Sequence, residues 1–188
     1  MKNLNTLILA IATTAFLLVG CNSIQQVTPA DQGAVEIVEF CTGSDYSTNE
    51  EYFRAAATGT SPNRETAKKK SRAEAEAKLA RAIQVTVKVV TENHVNDTQY
   101  GNKIEATGVF NEINQSIVEQ KLNGAVTICE KLTQDPNGYF VSYVAIELSG
   151  DKIAQAYNER LSKDERIMAE FNYQNFKETF EEEMRNHK

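Results

Sequence analysis

The chain of 188 residues predicts an α+β fold: a small, mainly antiparallel sheet with a long alanine-rich helix and a shorter helix packed on it, plus a long C-terminal helix. Three observations carry that prediction. Pro62 to Ile83 is dominated by Ala, Lys, Arg and Glu, all good helix formers. Residues 125–133 alternate apolar and polar side chains, the period of a half-buried strand, residues 139–148 follow as the hairpin partner, and Asp135-Pro136-Asn137-Gly138 between them is strong turn chemistry. From Asp151 onward, apolar residues recur at helical spacing.

The first twenty residues precede the domain. A basic start at Lys2, an apolar run, and Leu18-Val19-Gly20-Cys21 at its end make a secretory signal that closes on a cysteine. The run from Leu7 to Val19 has 13 residues, short of the ~20 that span a bilayer. The expectation is cleavage before Cys21, diacylglycerol on its thiol, and a mature chain anchored to a membrane by acyl chains without crossing it. Asn22, not Asp, follows Cys21, which favours the outer membrane, its periplasmic face ahead of the cell surface. Residues 21–33 read as a lipidated tether, 34–150 as a single α/β domain, and 151–188 as the C-terminal amphipathic helix.

Within the domain, Val35 to Phe40 reads as a weak strand or extended arm ending at Cys41, and Tyr52 to Thr60 as a strand. Ser61 is placed to cap the next helix and Pro62 to open its first turn. That helix is expected to run to about Ile83, with Ala73, Ala77, Ala80 and Ile83 recurring at helical spacing and Leu79 beside them. From Gln84 to about Asn96 the period switches to two. Val85, Val87 and Val89 face one way and Thr86 and Lys88 the other, which predicts a strand. Asn96 to Lys103 reads as a loop, and Phe110 to Leu122 as a second helix around Ile113, Ile117 and Val118.

In the next strand Val126, Ile128 and Leu132 are expected on one face and Cys129 on the other. In its hairpin partner, Phe140, Val144, Ile146 and Leu148 share a face. Tyr139, Val141 and Tyr143 occupy the other, too apolar for bare solvent, so the N-terminal arm or a partner should cover it. From Asp151 the chain reads as helix throughout, striped by Ile153, Tyr157, Leu161, Met168, Phe171, Phe176, Phe180 and Met184. Its end is expected either to pack back or to project and pair with another chain.

Phe53-Arg54-Ala55, then Gly59, then a long helix with Ala67, Ala73 and Leu79, form one constellation. Leu122-Asn123-Gly124 before a strand, followed by Gly138-Tyr139 and Tyr143-Val144-Ala145, form another. In this order they resemble the Lpp-twenty family of small outer-membrane lipoproteins over roughly residues 51–150. That family includes the flagellar lipoprotein FlgP and is similar to the N-terminal domain of FlgT. The resemblance implies a compact α/β domain with an envelope role and no known catalysis. The Cys41 arm and long C-terminal helix depart from the flagellar members and look more like a Bacteroidetes-type lipoprotein branch.

Composition narrows the function classes. The signal contributes Lys2 alone, so its removal takes the formal charge from −6 to −7, which argues against nucleic acid as a partner. With two histidines and no tryptophan, His-based catalysis or a His-rich metal site is poorly supplied. With Cys21 consumed by lipid, Cys41 and Cys129 remain as an even pair in an oxidising compartment and read as a disulfide, the alternative being two separate thiols.

Residues 62–83 hold seven basic and three acidic side chains. Lys68, Lys69, Lys70 and Arg72 are the candidate anion-binding group, weighed against a plain solvated helix face. Glu181-Glu182-Glu183 point about 100 degrees apart on a helix and cannot converge on one ion. His94 has no second ligand at metal spacing, and Gly59-Thr60-Ser61 lacks the Gly-Lys of a phosphate loop. The sequence thus predicts no enzyme, cofactor or metal. It predicts a lipid-anchored interaction or assembly module, docking an envelope protein or a second copy through Tyr139, Tyr143, Phe176 and Phe180. The alternative is recognition of an anionic glycan or lipid through the basic helix.

Overall fold

The computed structural model describes residues 39–186; the signal, Cys21, the tether and residues 34–38 of the arm lie outside the described residues. Strand β1 (Tyr52–Ser61) is followed by helices α1 (Arg64–Asp97) and α2 (Lys103–Leu122), strands β2 (Val126–Gln134) and β3 (Phe140–Ser149), and helices α3 (Gly150–Leu161) and α4 (Tyr173–Asn186). The strands form one antiparallel sheet in the order β1-β3-β2. The α+β class is therefore as expected, with four helices rather than three among the described residues.

Helix α1 packs on the sheet through a ladder of every fourth residue: Ala67, Ser71, Ala75, Leu79 and Ile83 are all buried. Spacing by four places side chains on one face. The contact face is rotated from the expected one, so Ala73 is exposed and Ala77 only half-buried. What sets the rotation is close backbone contact. A Cβ built on Gly59 of β1 would lie 2.4 Å from both the Ala67 carbonyl oxygen and the Ser71 amide nitrogen. At the same level the buried Ser71 and Ser142 hydroxyls meet at 2.9 Å. Ser71 donates its one proton to the Lys68 carbonyl oxygen, so Ser142 is the donor between helix and sheet. Beyond this point Phe53, Ala55 and Ala57 of β1 pair with Leu148, Ile146 and Val144 of β3, and all six are buried.

The strand expected over Gln84–Asn96 is helix instead. α1 continues unbroken for 34 residues, about 50 Å at 1.5 Å per residue, beyond the ~33 Å of a ten-residue strand. Over this second half it packs against α2 and α4. Ile83, Thr86, Val87, Val90, Thr91, His94 and Val95 are buried at helical spacing, while Val85 points outward and is 54% exposed. Burial on a helical face outweighs the modest helix penalty of valine and threonine. The cap also differs. Asn63 caps α1, its Oδ1 accepting from the Thr66 amide at 3.0 Å, while Ser61 ends β1 and accepts from the Asn63 amide. The second helix starts earlier than expected, at Lys103 behind an Asn102 cap.

The hairpin forms as read, with Asp135 Oδ1 accepting from the Asn137 and Tyr139 amides and Gly138 at φ 86°. In β2 an irregularity between Thr127 and Cys129 shifts the register. Val126, opposite Glu147, consequently shares the outer face with Cys129, opposite Ala145, while Leu132 lies on the other. The expected grouping of Val126, Ile128 and Leu132 is broken by that extra residue.

The C-terminal segment is two helices, not one. α3 ends at Leu161, and turns over residues 162–172 hold Asp164, which accepts from the Arg166 amide, and the buried Ile167. Asn172 then accepts from the Asn175 amide to start α4. The break folds α4 back on the domain, so Phe176, Phe180 and Met184 are buried. Phe180 meets Phe53 edge-on at 6.1 Å, and Phe176 lies 5.5 Å from Tyr157. Phe176 and Phe180 are thus core residues, not the partner surface the sequence suggested.

Two outcomes follow. Gly59→Ala should destabilise the domain by about 1–3 kcal/mol through overpacking against α1, although strand propensity alone favours alanine; thermal melts of the two proteins decide it. Phe180→Ala should cost about 3–5 kcal/mol, read as a lower urea midpoint with an unchanged slope. A surface role for Phe180 predicts almost no shift.

Candidate functional site

The sheet face opposite α1 carries Arg54, Thr58 and Thr60 of β1, Val141, Tyr143 and Ala145 of β3, and Val126, Cys129, Lys131 and Thr133 of β2. Two features organise it. Arg54 and Glu147, paired across β1 and β3, form an ion pair at 2.9 Å, with Arg54 also 5.4 Å from the Tyr52 ring centroid. Cys41 and Cys129 form a disulfide, with Cα atoms 5.5 Å apart. The bridge brings the segment before β1 across this face, over Ala145, which is fully buried.

Phe40 consequently sits edge-on to Tyr143, ring centroids 5.4 Å apart. The cover is partial. Phe40 is 47% exposed, Tyr139 45% and Val126 58%, and Val141 and Tyr143 are half-buried. The sequence foresaw the bridge and the apolar face but did not single out Phe40, whose part depends on which strand the bridge reaches.

The basic run does not open as one cationic patch. Lys68 pairs with Glu130 of β2 at 2.8 Å. Arg72 bonds Glu76 at 2.6 Å, Thr127 Oγ1 at 2.8 Å and the Ala125 carbonyl oxygen at 3.0 Å. Lys70 reaches the other side of the sheet and donates to the Thr60 carbonyl oxygen at 3.2 Å, as Lys78 does to that of Ala56 at 3.1 Å. Of the four candidates, Lys69 alone makes no hydrogen bond or ion pair within the described residues. The run therefore reads as struts from α1 to both edges of the sheet. At β1, lysines over edge carbonyls also discourage addition of a foreign strand. Thr48 completes that edge by accepting from the Arg54 amide and donating to its carbonyl oxygen.

A cleft of about 400 Å³ lies where β1 begins and α3 and α4 meet, floored by Tyr52, Phe180 and Met184 and rimmed by Glu51, Asp151, Lys177, Glu181 and Arg185. Lys177 holds Asp151 at 3.3 Å and Glu181 at 3.7 Å. The Asp151 carboxylate beside it raises the lysine's pKa. This group ties α4 to the start of α3. Of the expected acidic run, only Glu181 takes part.

Among the described residues no group of three or more His, Cys, Asp or Glu side chains is gathered to hold a metal ion, and no helix is long and apolar enough to cross a membrane. His94, expected on or after a strand, is on α1 and completely buried. Compared with protein-family models, curated proteins and solved structures, the chain matches none of them.

Opening the bridge should act on stability. Cys41 and Cys129 are 88 residues apart, and a loop of that length is worth up to about 4–5 kcal/mol in the chain-entropy model. Cys41→Ser/Cys129→Ser should lower the urea midpoint, and reductant should move the wild-type protein toward the variant while leaving the variant unchanged.

Proposed function

We propose that the chain is a non-enzymatic, lipid-anchored envelope protein that serves as an interaction or assembly module at the outer membrane, related to the Lpp-twenty lipoproteins it resembles. Leu18-Val19-Gly20-Cys21 supports the anchor. The observation that carries the docking role is the partly covered outer sheet face, where Phe40 packs on the half-buried Tyr143 and Phe40, Tyr139 and Val126 remain exposed. Aromatic side chains in an apolar patch with a polar rim are the usual composition of an interface core. Thr58 and Lys131, the cross-strand partners of Tyr143, supply the polar groups beside it. With α4 folded into the core, this face replaces the C-terminal stripe as the docking surface.

The test places a photo-crosslinking residue at Tyr139 and, separately, at Lys69, in intact cells. The proposal expects a defined envelope protein, or a second copy of this chain, captured from position 139. Its loss on Tyr143→Ala in a protein that still folds should follow. Capture of lipid or glycan from position 69, with nothing from 139, would replace this reading with anion recognition by the basic helix. Cys21→Ser should move the protein from the membrane to the soluble fraction, and membrane retention in that variant would remove the anchor from the proposal.

A further inference from the structure

His94 is a completely buried ionisable side chain between α1, α2 and α4. Its Nδ1 lies 2.8 Å from Asn175 Oδ1 of α4. An amide oxygen only accepts, so Nδ1 carries the proton, and in the neutral ring Nε2 is left as a lone pair. Nε2 has no hydrogen-bond partner among the described residues. Four rings enclose the imidazole: Tyr100 from the loop after α1, Phe110 from α2, Phe171 from the turn before α4, and Phe176 from α4, with centroids 5.6–6.1 Å away. Two of them, with Asn175, belong to the C-terminal segment.

A neutral imidazole suits this box. A second proton would put an N–H without an acceptor, and a charge, among aromatic rings. The groups around it offer little relief. The Asn175 Oδ1 that accepts from Nδ1 favours the charged ring, and Asp97 of α1 does so less, but burial outweighs both. Tyr100, with its own proton held by burial and by Glu170, titrates only at about 12. Phe110 of α2 carries no charge. From the C-terminal segment, Glu170 acts on Tyr100.

We propose that His94 is an acid-sensitive latch for the C-terminal segment, holding α4 on the domain while the imidazole is neutral and favouring its release when the imidazole is protonated. Release turns the Phe176, Phe180 and Met184 face of α4 outward. The inference does not depend on the anchor or on the outer sheet face.

The sign follows from burial. Closed, the ring's pKa lies below the ordinary 6.5; released into water, it returns there. Well above pH 6.5 neither form takes a proton and the balance is constant. Below it the released form binds the proton first, so closure weakens by up to tenfold per pH unit, until the closed form also titrates.

Hydrogen exchange of the purified protein between pH 7.5 and 5, corrected for intrinsic rates, tests this. The amides of Tyr173–Asn186 should open more readily than those of β3. Their protection should fall by up to about 30-fold from pH 7.5 to 5, and His94→Gln should abolish that slope. Protection equal to that of β3 at every pH, or no change with pH, would overturn the latch. If the variant does not fold, the imidazole signals of the wild-type protein decide. His94 titrating well below 6.5 fits the proposal, while His94 titrating at 6.5 or above with α4 still protected refutes it.

Discussion

The contact at Gly59 sets the position of almost everything else. Because that residue has no side chain, α1 lies against β1 backbone to backbone, and Ser71 and Ser142 share a buried hydrogen bond at the same level. A helix fixed so closely at one end has its direction determined along its whole length. Its second half therefore leaves the sheet at a definite angle and place, and α2 and α4 assemble on it there. The two halves of the core, one against strands and one among helices, share a single rigid element. The polar struts at Lys68, Lys70, Arg72 and Lys78 act near the same end and hold the helix against rolling.

Sheet, hairpin and class were readable because each rests on a local rule: alternation in β2, turn chemistry at Asp135-Pro136-Asn137-Gly138, alanine and charge in the first half of α1. The second half of α1 misled because Val85, Val87 and Val89 satisfy period two while Ile83, Val87 and Val90 satisfy period 3.6. Only the presence of α2 and α4 selects between them. The break at residues 162–172 has a local signal in Asp164 and Asn172, both of which accept hydrogen bonds at turn or helix starts, but the continuing apolar stripe masked it.

Of the candidate site, Cys41 and Cys129 were legible as the even pair left once Cys21 is set aside, and the second face of β3 from its apolar residues. The basic run looked like a binding surface because sequence shows charge without its partners. Lys68 finds Glu130, and Arg72 finds Thr127, across a distance of more than fifty residues. Phe176 and Phe180 looked available for the same reason. An amphipathic stripe says that one side will be covered, and only the turn before α4 decides that the cover is the chain's own core.

The Cys41–Cys129 bridge also governs how tension would pass through the molecule. The chain between the two cysteines contains β1, α1 and α2, and it is bypassed by the covalent shortcut. A pull applied between the N-terminal side and the C-terminus would run from Cys41 straight to Cys129 and into the remainder of β2, then β3, α3 and α4. The strand and helix that meet at Gly59 would carry no direct load. With the bridge reduced, the same pull would arrive at Tyr52 and draw on β1, an edge strand that can be peeled away one hydrogen bond at a time.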